Sequence, residues 1–417
     1  MVNGRARTGL RAAVVALAAA TVVGGVVAPV AGAADAPPSA GARQEAARAA
    51  DRAALDRALG DVVDVGGASA ALGRVVQEGR TVWQGAAGKA DLDTGAAARA
   101  DGRFRIGSTT KTFVATVVLQ LVGERKVELD APIERYLPGA VPNGANITVR
   151  QILNHTSGLY SYTGDPRLGL SEEGLPQWVA SGRWTTYRAQ DLLAIADDHQ
   201  SEFAPGTDWS YSNTNYIVAG LLIEKVTGRS WGTEVEHRII RPLGLRDTSM
   251  PDTSTAVPGP HAKGYARLGD TRFDVTRLNP SMAGSAGAGV STTADLARFN
   301  TALLGGRLLR PAELAEMKTP SPQAVRRGVE YGLGLWRTTL PCGEFWGHDG
   351  GIPGYSTMLM GDVTGRRQIT YSVNPLDSVA ETGRTIEVLT ATMACGPSTL
   401  SASSALGAPS IPGARLG

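Results

Sequence analysis

The chain has 417 residues, 42% hydrophobic and 19% charged, which is enough apolar content to bury a large core and places it in the ordinary globular class. Its formal net charge of +2 comes from interspersed arginines and acidic residues without a long basic run or patch, so nucleic acid is excluded as an expected partner. Its two cysteines, far apart in sequence, make a poor metal site, and no metal or organic cofactor is called for.

Arg5, Arg7 and Arg11 precede a largely apolar run over 12–28, and Pro29 and the small residues Ala31-Gly32-Ala33-Ala34 follow it. This order predicts a secretory signal over residues 1–34, whose apolar run of about 17 residues is marginal for spanning a bilayer. The protein is therefore expected to be secreted, with no stable membrane anchor once the leader is removed. In an oxidising compartment Cys342 and Cys395 are predicted to pair, a closure that stabilises by about 4 kcal/mol in the chain-entropy estimate.

After the leader, 35–41 reads as a loose linker and 42–59 as an Ala/Arg/Glu-rich helix closed by Gly60. Segments 70–76 and 81–86 flank Glu78-Gly79-Arg80, which suits a hairpin. Phe113, Val114, Val117, Val118, Leu121 and Val122 then keep a 3.6-residue spacing, so Ser108 is expected to open a buried helix about four turns long. From 129 to 284 the signals are turns and helices: 149–154, 189–197, 216–226 closed by Gly228, and 231–240. Downstream, 331–340, 344–348, 355–360 and 368–373 alternate as strands, and 382–394 is a helix. The two ends of the chain are thus expected to share one sheet, giving an α/β lobe over 42–128 and 285–395 and a helical lobe over 129–284, within a catalytic domain of 35–395. From Gly396 the chain is Ser, Ala, Gly and Pro with almost no charge, read as a disordered or removable tail.

Three motifs occur once each, in order: Ser108-Thr109-Thr110-Lys111, Tyr211-Ser212-Asn213 and His348-Asp349-Gly350. A serine hydroxyl needs a base within hydrogen-bond reach, and a helix sets residues three apart on one face. Among the lysines only Lys111 has a serine three residues before it, among the tyrosines only Tyr211 is followed by x-Asn, and among the histidines only His348 is followed by x-Gly. Taken alone, Ser108 fits an N-cap, Tyr211 and Asn213 fit a turn and cap, and His348 fits a core histidine. Together they predict an active-site serine hydrolase. His155 reads as structural, while His199, His237 and His261 are expected to be exposed. A rival nucleophile, Ser285 in Ala283-Gly284-Ser285-Ala286-Gly287, lacks the preceding apolar strand of a nucleophile elbow and leaves Ser108 and Lys111 unexplained.

These motifs, with Arg103-Phe-Arg-Ile-Gly-Ser-Thr-Thr-Lys111, Ile147-Thr-Val-Arg-Gln-Ile-Leu-Asn-His-Thr-Ser-Gly-Leu159, Tyr211-Ser-Asn-Thr-Asn-Tyr216 and Tyr331-Gly-Leu-Gly-Leu335, make the chain resemble the penicillin-recognising serine hydrolases of the class C β-lactamase group, most closely the secreted D-alanyl-D-alanine carboxypeptidases/transpeptidases. The resemblance covers nearly the whole mature chain and extends to the cysteine pair. It implies an α/β, β-lactamase/transpeptidase-like fold, an antiparallel sheet flanked by helices with an inserted all-helical lobe and the site between the lobes. It implies that Ser108 attacks and is acylated, that Lys111 and Tyr211 handle its proton with the base left open between them, and that Asn213 donates to the acyl-side amide. His348 would hold Tyr211 and relay a proton to the leaving group, and the backbone N–H groups of Ser108 and Gly351 would form the oxyanion hole. The substrate class so implied is a D-amino-acid peptide, with β-lactams as substrates or inhibitors.

Two places depart from the carboxypeptidase pattern. Trp336 stands where an arginine would read the substrate carboxylate, and Asp349 and Gly351 stand where hydroxyls would. Arg337, one step along the strand, is expected to face away. Asp349 beside a substrate carboxylate is repulsive by roughly 1–4 kcal/mol at short range. This raises a D-aminopeptidase, D-endopeptidase, amidase or esterase as alternatives, alongside a class C-like β-lactamase and a non-catalytic β-lactam-binding domain. In the remaining reading Asp349 turns outward to an arginine.

Overall fold

Both ends of the chain supply the main sheet of the computed structural model, which describes residues 40–171, 173–376 and 379–397. The strands are β1 (Ala70–Gln77), β2 (Arg80–Gly88), β3 (Phe104–Arg105), β4 (Tyr265–Leu268), β5 (Thr271–Asp274), β6 (Val290–Ser291), β7 (Glu330–Tyr331), β8 (Trp336–Leu340), β9 (Gly343–Ile352), β10 (Tyr355–Asp362) and β11 (Arg367–Asn374). Among the described residues the main sheet has seven antiparallel strands in the order β2-β1-β11-β10-β9-β8-β7. Glu78 and Gly79 both take positive φ, 51° and 74°, the two-residue turn whose twist matches antiparallel strands. The described residues from 47 on belong to one compact unit, and those before it, 40–46, are helical.

Side-chain alternation on β11 explains why the sheet carries helices on both faces. Ile369, Tyr371 and Val373 enter one apolar cluster with Leu55, Leu59, Val62, Leu389 and Met393 from the helices Ala40–Asp64 and Val379–Cys395. The alternate residues, Gln368, Thr370, Ser372 and Asn374, are polar and fully buried, and two of them bond to the helix Thr293–Leu304 on the other face: Thr370 Oγ1 donates to Thr293 O at 3.0 Å, and Asn300 Nδ2 donates to Gln368 Oε1 at 2.8 Å. Each buried aliphatic side chain on the apolar face stabilises by roughly 1.5–3 kcal/mol. Cys342 and Cys395 are joined as expected, with Cα atoms 5.3 Å apart, tying the β8–β9 turn to the end of the last described helix.

The sequence reading is corrected in five places. The first helix starts two residues early, inside the expected linker, and runs through Gly60 to Asp64. The single strand expected over 331–340 is two short ones, β7 and β8, separated by Gly332-Leu-Gly-Leu335, where Gly334 has φ 76° and a Cβ would meet Ala115 Cβ at 2.5 Å. The insertion is not all helical, because β4 and β5 form a hairpin within it. The helix Thr110–Gly123 is buried nearly all round, Thr112 and Thr116 included, rather than along one stripe. The segment over 231–240 is a short α-helix, Trp231–Val235, continued by a π turn, Glu236–Ile240. The expected leader and the tail from 398 lie outside the described residues, and none of the described helices is long and apolar enough to cross a membrane.

Candidate active site

Ser108 sits in a tight 3-10 turn, Gly107–Thr109, that feeds the helix Thr110–Gly123. The turn exists because Gly107 takes φ 48° and lies against β9, where an added Cβ would be 2.7 Å from Gly351 O and 2.9 Å from Gly351 N. Gly350 is as confined, since its Cβ would meet Ile106 O at 2.0 Å. The backbone of Gly351 therefore lies against the turn that carries Ser108. Ser108 is not the helix cap; Thr109 is, without a capping hydrogen bond.

Lys111 is fully buried, and its Nζ reaches Ser108 Oγ at 2.9 Å, Asn213 Oδ1 at 2.7 Å and Ala286 O at 2.8 Å. Burial pushes its pKa well below the ordinary lysine value, against the opposing pull of Asp349. The Ala286 carbonyl can only accept. Asn213 Nδ2 donates to Thr163 Oγ1 at 3.0 Å, which leaves Oδ1 as the atom facing lysine. Two of the three contacts thus require donation from nitrogen, and a neutral Lys111 keeps its lone pair for the Ser108 hydroxyl.

Ser212 is extended, with φ −133° and ψ 122°, so Tyr211 and Asn213 project to the same side. Asn213 opens the helix Asn213–Thr227, with its N–H held by Ser161 Oγ at 3.1 Å. The Tyr211 ring lies 4.9 Å from Lys111 Nζ and packs on His155 at 4.3 Å. Burial raises the Tyr211 pKa well above its ordinary value, Ser108 lowers it through a hydrogen bond and Asp349 raises it further. Among the described residues its buried hydroxyl has no hydrogen-bond partner of full geometry.

His348 is 1% exposed and is pushed down to about 3 by burial and by Lys111. Both its nitrogens are engaged, Nε2 with Tyr331 Oη at 2.9 Å and Nδ1 with the Asp349 carbonyl at 2.6 Å. Its ring centroid is 6.2 Å from that of Tyr211, so the structure does not give it the expected grip on Tyr211. Asp349 accepts from Trp336 Nε1 at 3.0 Å, lies 3.7 Å from His348 Nδ1 and keeps 25% of its side chain exposed. Desolvation pushes its carboxyl up to about 6, opposed by the Trp336 hydrogen bond and by Lys111. It does not turn outward to an arginine. Arg337 instead donates to Glu330 and to Glu344.

Tyr331, Asn215, Ser157 and Thr163 belong to the site and were not singled out by the sequence reading, although all but Thr163 fall within the stretches that carried the resemblance. His155 is buried with φ 62° and contacts Tyr211, Tyr216 and Tyr331. His199, expected to be exposed, is half-buried, stacked on Tyr160 at 3.9 Å and 2.8 Å from Asp165. Ser285 is buried, its hydroxyl donating to Tyr216 O at 2.8 Å, far from any role as a rival nucleophile.

Residues 55–391 match the protein family described as Beta-lactamase. Penicillin-binding protein 4* of Bacillus subtilis is 27% identical over 288 residues, 65% of this chain, and the chain spans 60% of that relative's length. A solved D-stereospecific amidohydrolase from Streptomyces sp. has a TM-score of 0.74 and 41% identity, covering 83% of this chain and 99% of its own. The D-amino acid amidase of Ochrobactrum anthropi SV3 has a TM-score of 0.70 and 26% identity, covering 85% and 99%.

Proposed function

The chain belongs to the beta-lactamase family of serine hydrolases, and on that premise we propose that it hydrolyses amides of D-configured amino acids and short peptides through an acyl-enzyme on Ser108. The observation that carries this reading is the Asp349 carboxylate, fixed by Trp336 within the electrostatic reach of Lys111 and Tyr211. A carboxylate there accepts from an amide N–H or an ammonium and repels a free C-terminal carboxylate. The similarity to a D-stereospecific amidohydrolase and a D-amino acid amidase supports the same choice over D-alanyl-D-alanine carboxypeptidase activity, since Trp336 stands where a cation would read the free carboxylate and the neighbouring Arg337 is committed to Glu330 and Glu344.

In this mechanism neutral Lys111 takes the Ser108 proton as Oγ attacks the amide carbon. The oxyanion is received by the N–H groups of Ser108 and Gly351, donors that need no reorganisation. Tyr211, which holds its proton, passes it to the departing nitrogen, and water then attacks the ester by the reverse path. Asn213 keeps Lys111 in place. The Cys342–Cys395 bond supports an oxidising, extracytoplasmic setting.

The test is release of ammonia from D- and L-phenylalaninamide beside a D-Ala-D-Ala peptide and a penicillin. Preference for the D-amide by about tenfold or more, abolished in Ser108→Ala with unchanged circular dichroism, is expected. Hydrolysis of the peptide's free-carboxylate end in preference to the amide would overturn the reading.

A further inference from the structure

A run of buried polar groups connects the helical insertion to the strand that carries Asp349 and Gly351, and its proton positions can be read in one direction. The Ser212 N–H can only donate, and it lies 3.2 Å from His155 Nδ1. Asn215 Nδ2 lies 3.1 Å from the same nitrogen, its amide oriented by Ser157 Oγ–H donating to Oδ1 at 2.6 Å. Nδ1 of His155 is therefore bare and the ring proton is on Nε2. That proton meets Tyr331 Oη at 3.3 Å, and since the Asp349 carbonyl beside His348 Nδ1 can only accept, the Tyr331 hydroxyl donates to the bare His348 Nε2 at 2.9 Å. His348 then carries its own proton on Nδ1, donated to the Asp349 carbonyl at 2.6 Å. Every imidazole nitrogen in the run is satisfied: a proton on His155 Nδ1 would set a donor against the Ser212 N–H, and moving the His348 proton to Nε2 would leave a bare Nδ1 against the Asp349 carbonyl, acceptor against acceptor.

We propose that Tyr331 is a positioning residue: its hydroxyl, held between Nε2 of His155 and Nε2 of His348, sets the tautomer and tilt of His348, and with them the 348–351 backbone that presents Asp349 and the Gly351 amide to Ser108. The Tyr331 ring lies edge-on to Tyr211 with centroids 6.3 Å apart, and its hydroxyl works through His348. Its ring is anchored independently, 2% exposed in the cluster that includes Trp336, so removing the oxygen leaves the packing in place. The inference rests on Ser108 being the nucleophile and not on which amide is cleaved.

The experiment compares the full chain with Tyr331→Phe, His348→Gln and the double variant. It uses labelling of Ser108 by a fluorophosphonate, and long-range proton–nitrogen correlation spectra of ¹⁵N-histidine protein to read tautomers. The wild type is expected to show His155 protonated on Nε2 and His348 on Nδ1 at neutral pH. Tyr331→Phe is expected to fold, to lose the fixed His348 tautomer and to slow labelling by about tenfold or more. In the His348→Gln background the same change is expected to add less than about twofold, because the two residues act as one unit. An unchanged tautomer and labelling rate in Tyr331→Phe, or an equal loss in both backgrounds, would refute the proposal. So would wild-type His348 protonated on Nε2, a result that needs no variant to fold. A protein inert toward D-amides yet showing these tautomers and this coupling would sink the substrate reading alone.

Discussion

Lys111 and Asp349 are two buried or half-buried ionisable groups whose surroundings push them toward neutrality from opposite ends of the pH scale. For Lys111 burial favours the free amine, while Tyr211 is driven the other way and keeps its proton, which suits the roles of base and acid proposed for them. For Asp349 the consequence is measurable in stability. Its carboxyl titrates at about 6 in the fold, above the ordinary value of about 3.9 in an unfolded chain, so between these values the folded state binds more protons. Stability contributed by this group is then present at low pH and declines as pH rises through that window. Asp349→Asn keeps an acceptor for Trp336 and never ionises. In urea unfolding it is expected to be more stable than wild type by about 1–3 kcal/mol at pH 7.5, with the difference gone at pH 4. Its D-amide kcat/KM is expected to fall and to lose the acidic limb near pH 6. Equal stability at both pH values would show that Asp349 is not desolvated. That Lys111 lies beside Ser108, and that Tyr211 and Asn213 share a side, was legible from spacing, because helical and extended periodicities fix which side chains share a side. The Tyr331 bridge was not, because its two partners come from distant segments and only packing brings them to one hydroxyl.

Among the elements, the strands and helices with strong periodicity fell within a few residues of expectation, whereas those shaped by close backbone approach did not. The hairpin at Glu78-Gly79 and the helix closed by Gly228, φ 71°, are set by local φ preference. The break between β7 and β8 is set by the nucleophile helix, since Thr112 Oγ1 donates to Gly334 O at 2.8 Å and Ala115 leaves no room for a side chain at Gly334. The Cys342–Cys395 bond closes a separation of 53 residues that includes β9, β10 and β11. Replacing both cysteines by serine is expected to lower stability by up to about 4 kcal/mol, read as a lower denaturant midpoint. Because β9 carries His348 and Asp349, fluorophosphonate labelling below that midpoint should persist; its loss in protein that is still folded would show that the bond shapes the site directly.

At the scale of the molecule, the site depends on clamps between segments far apart in sequence. Arg105, three residues before Ser108 and 0% exposed, donates from its guanidinium to the carbonyls of Thr255 at 2.7 Å, Thr276 at 3.1 Å and Leu278 at 3.3 Å. Burial pushes it down to about 10, so it stays charged at neutral pH without an ion-pair partner among the described residues. It fastens β3 and the nucleophile turn to the segments on either side of the β4–β5 hairpin. Arg105→Met fills the space and leaves those carbonyls without their donor. It is expected to cost about 2–4 kcal/mol in denaturant unfolding. The variant should also show faster proteolysis within 255–278 than elsewhere; uniform proteolysis would mean that Arg105 supports the fold generally and not this clamp.

The sequence by itself determined the fold class, the order of most elements and four polar groups of the site, because each follows from local periodicity, turn chemistry or the short-range spacing of side chains. Only the tertiary structure decided that His348 faces Tyr331 and not Tyr211, that Asp349 takes its hydrogen bond from Trp336, and that the insertion carries a hairpin. The physical reason for the first two is that a buried polar group must find a partner, and which partner it finds depends on distances between segments that no local pattern encodes.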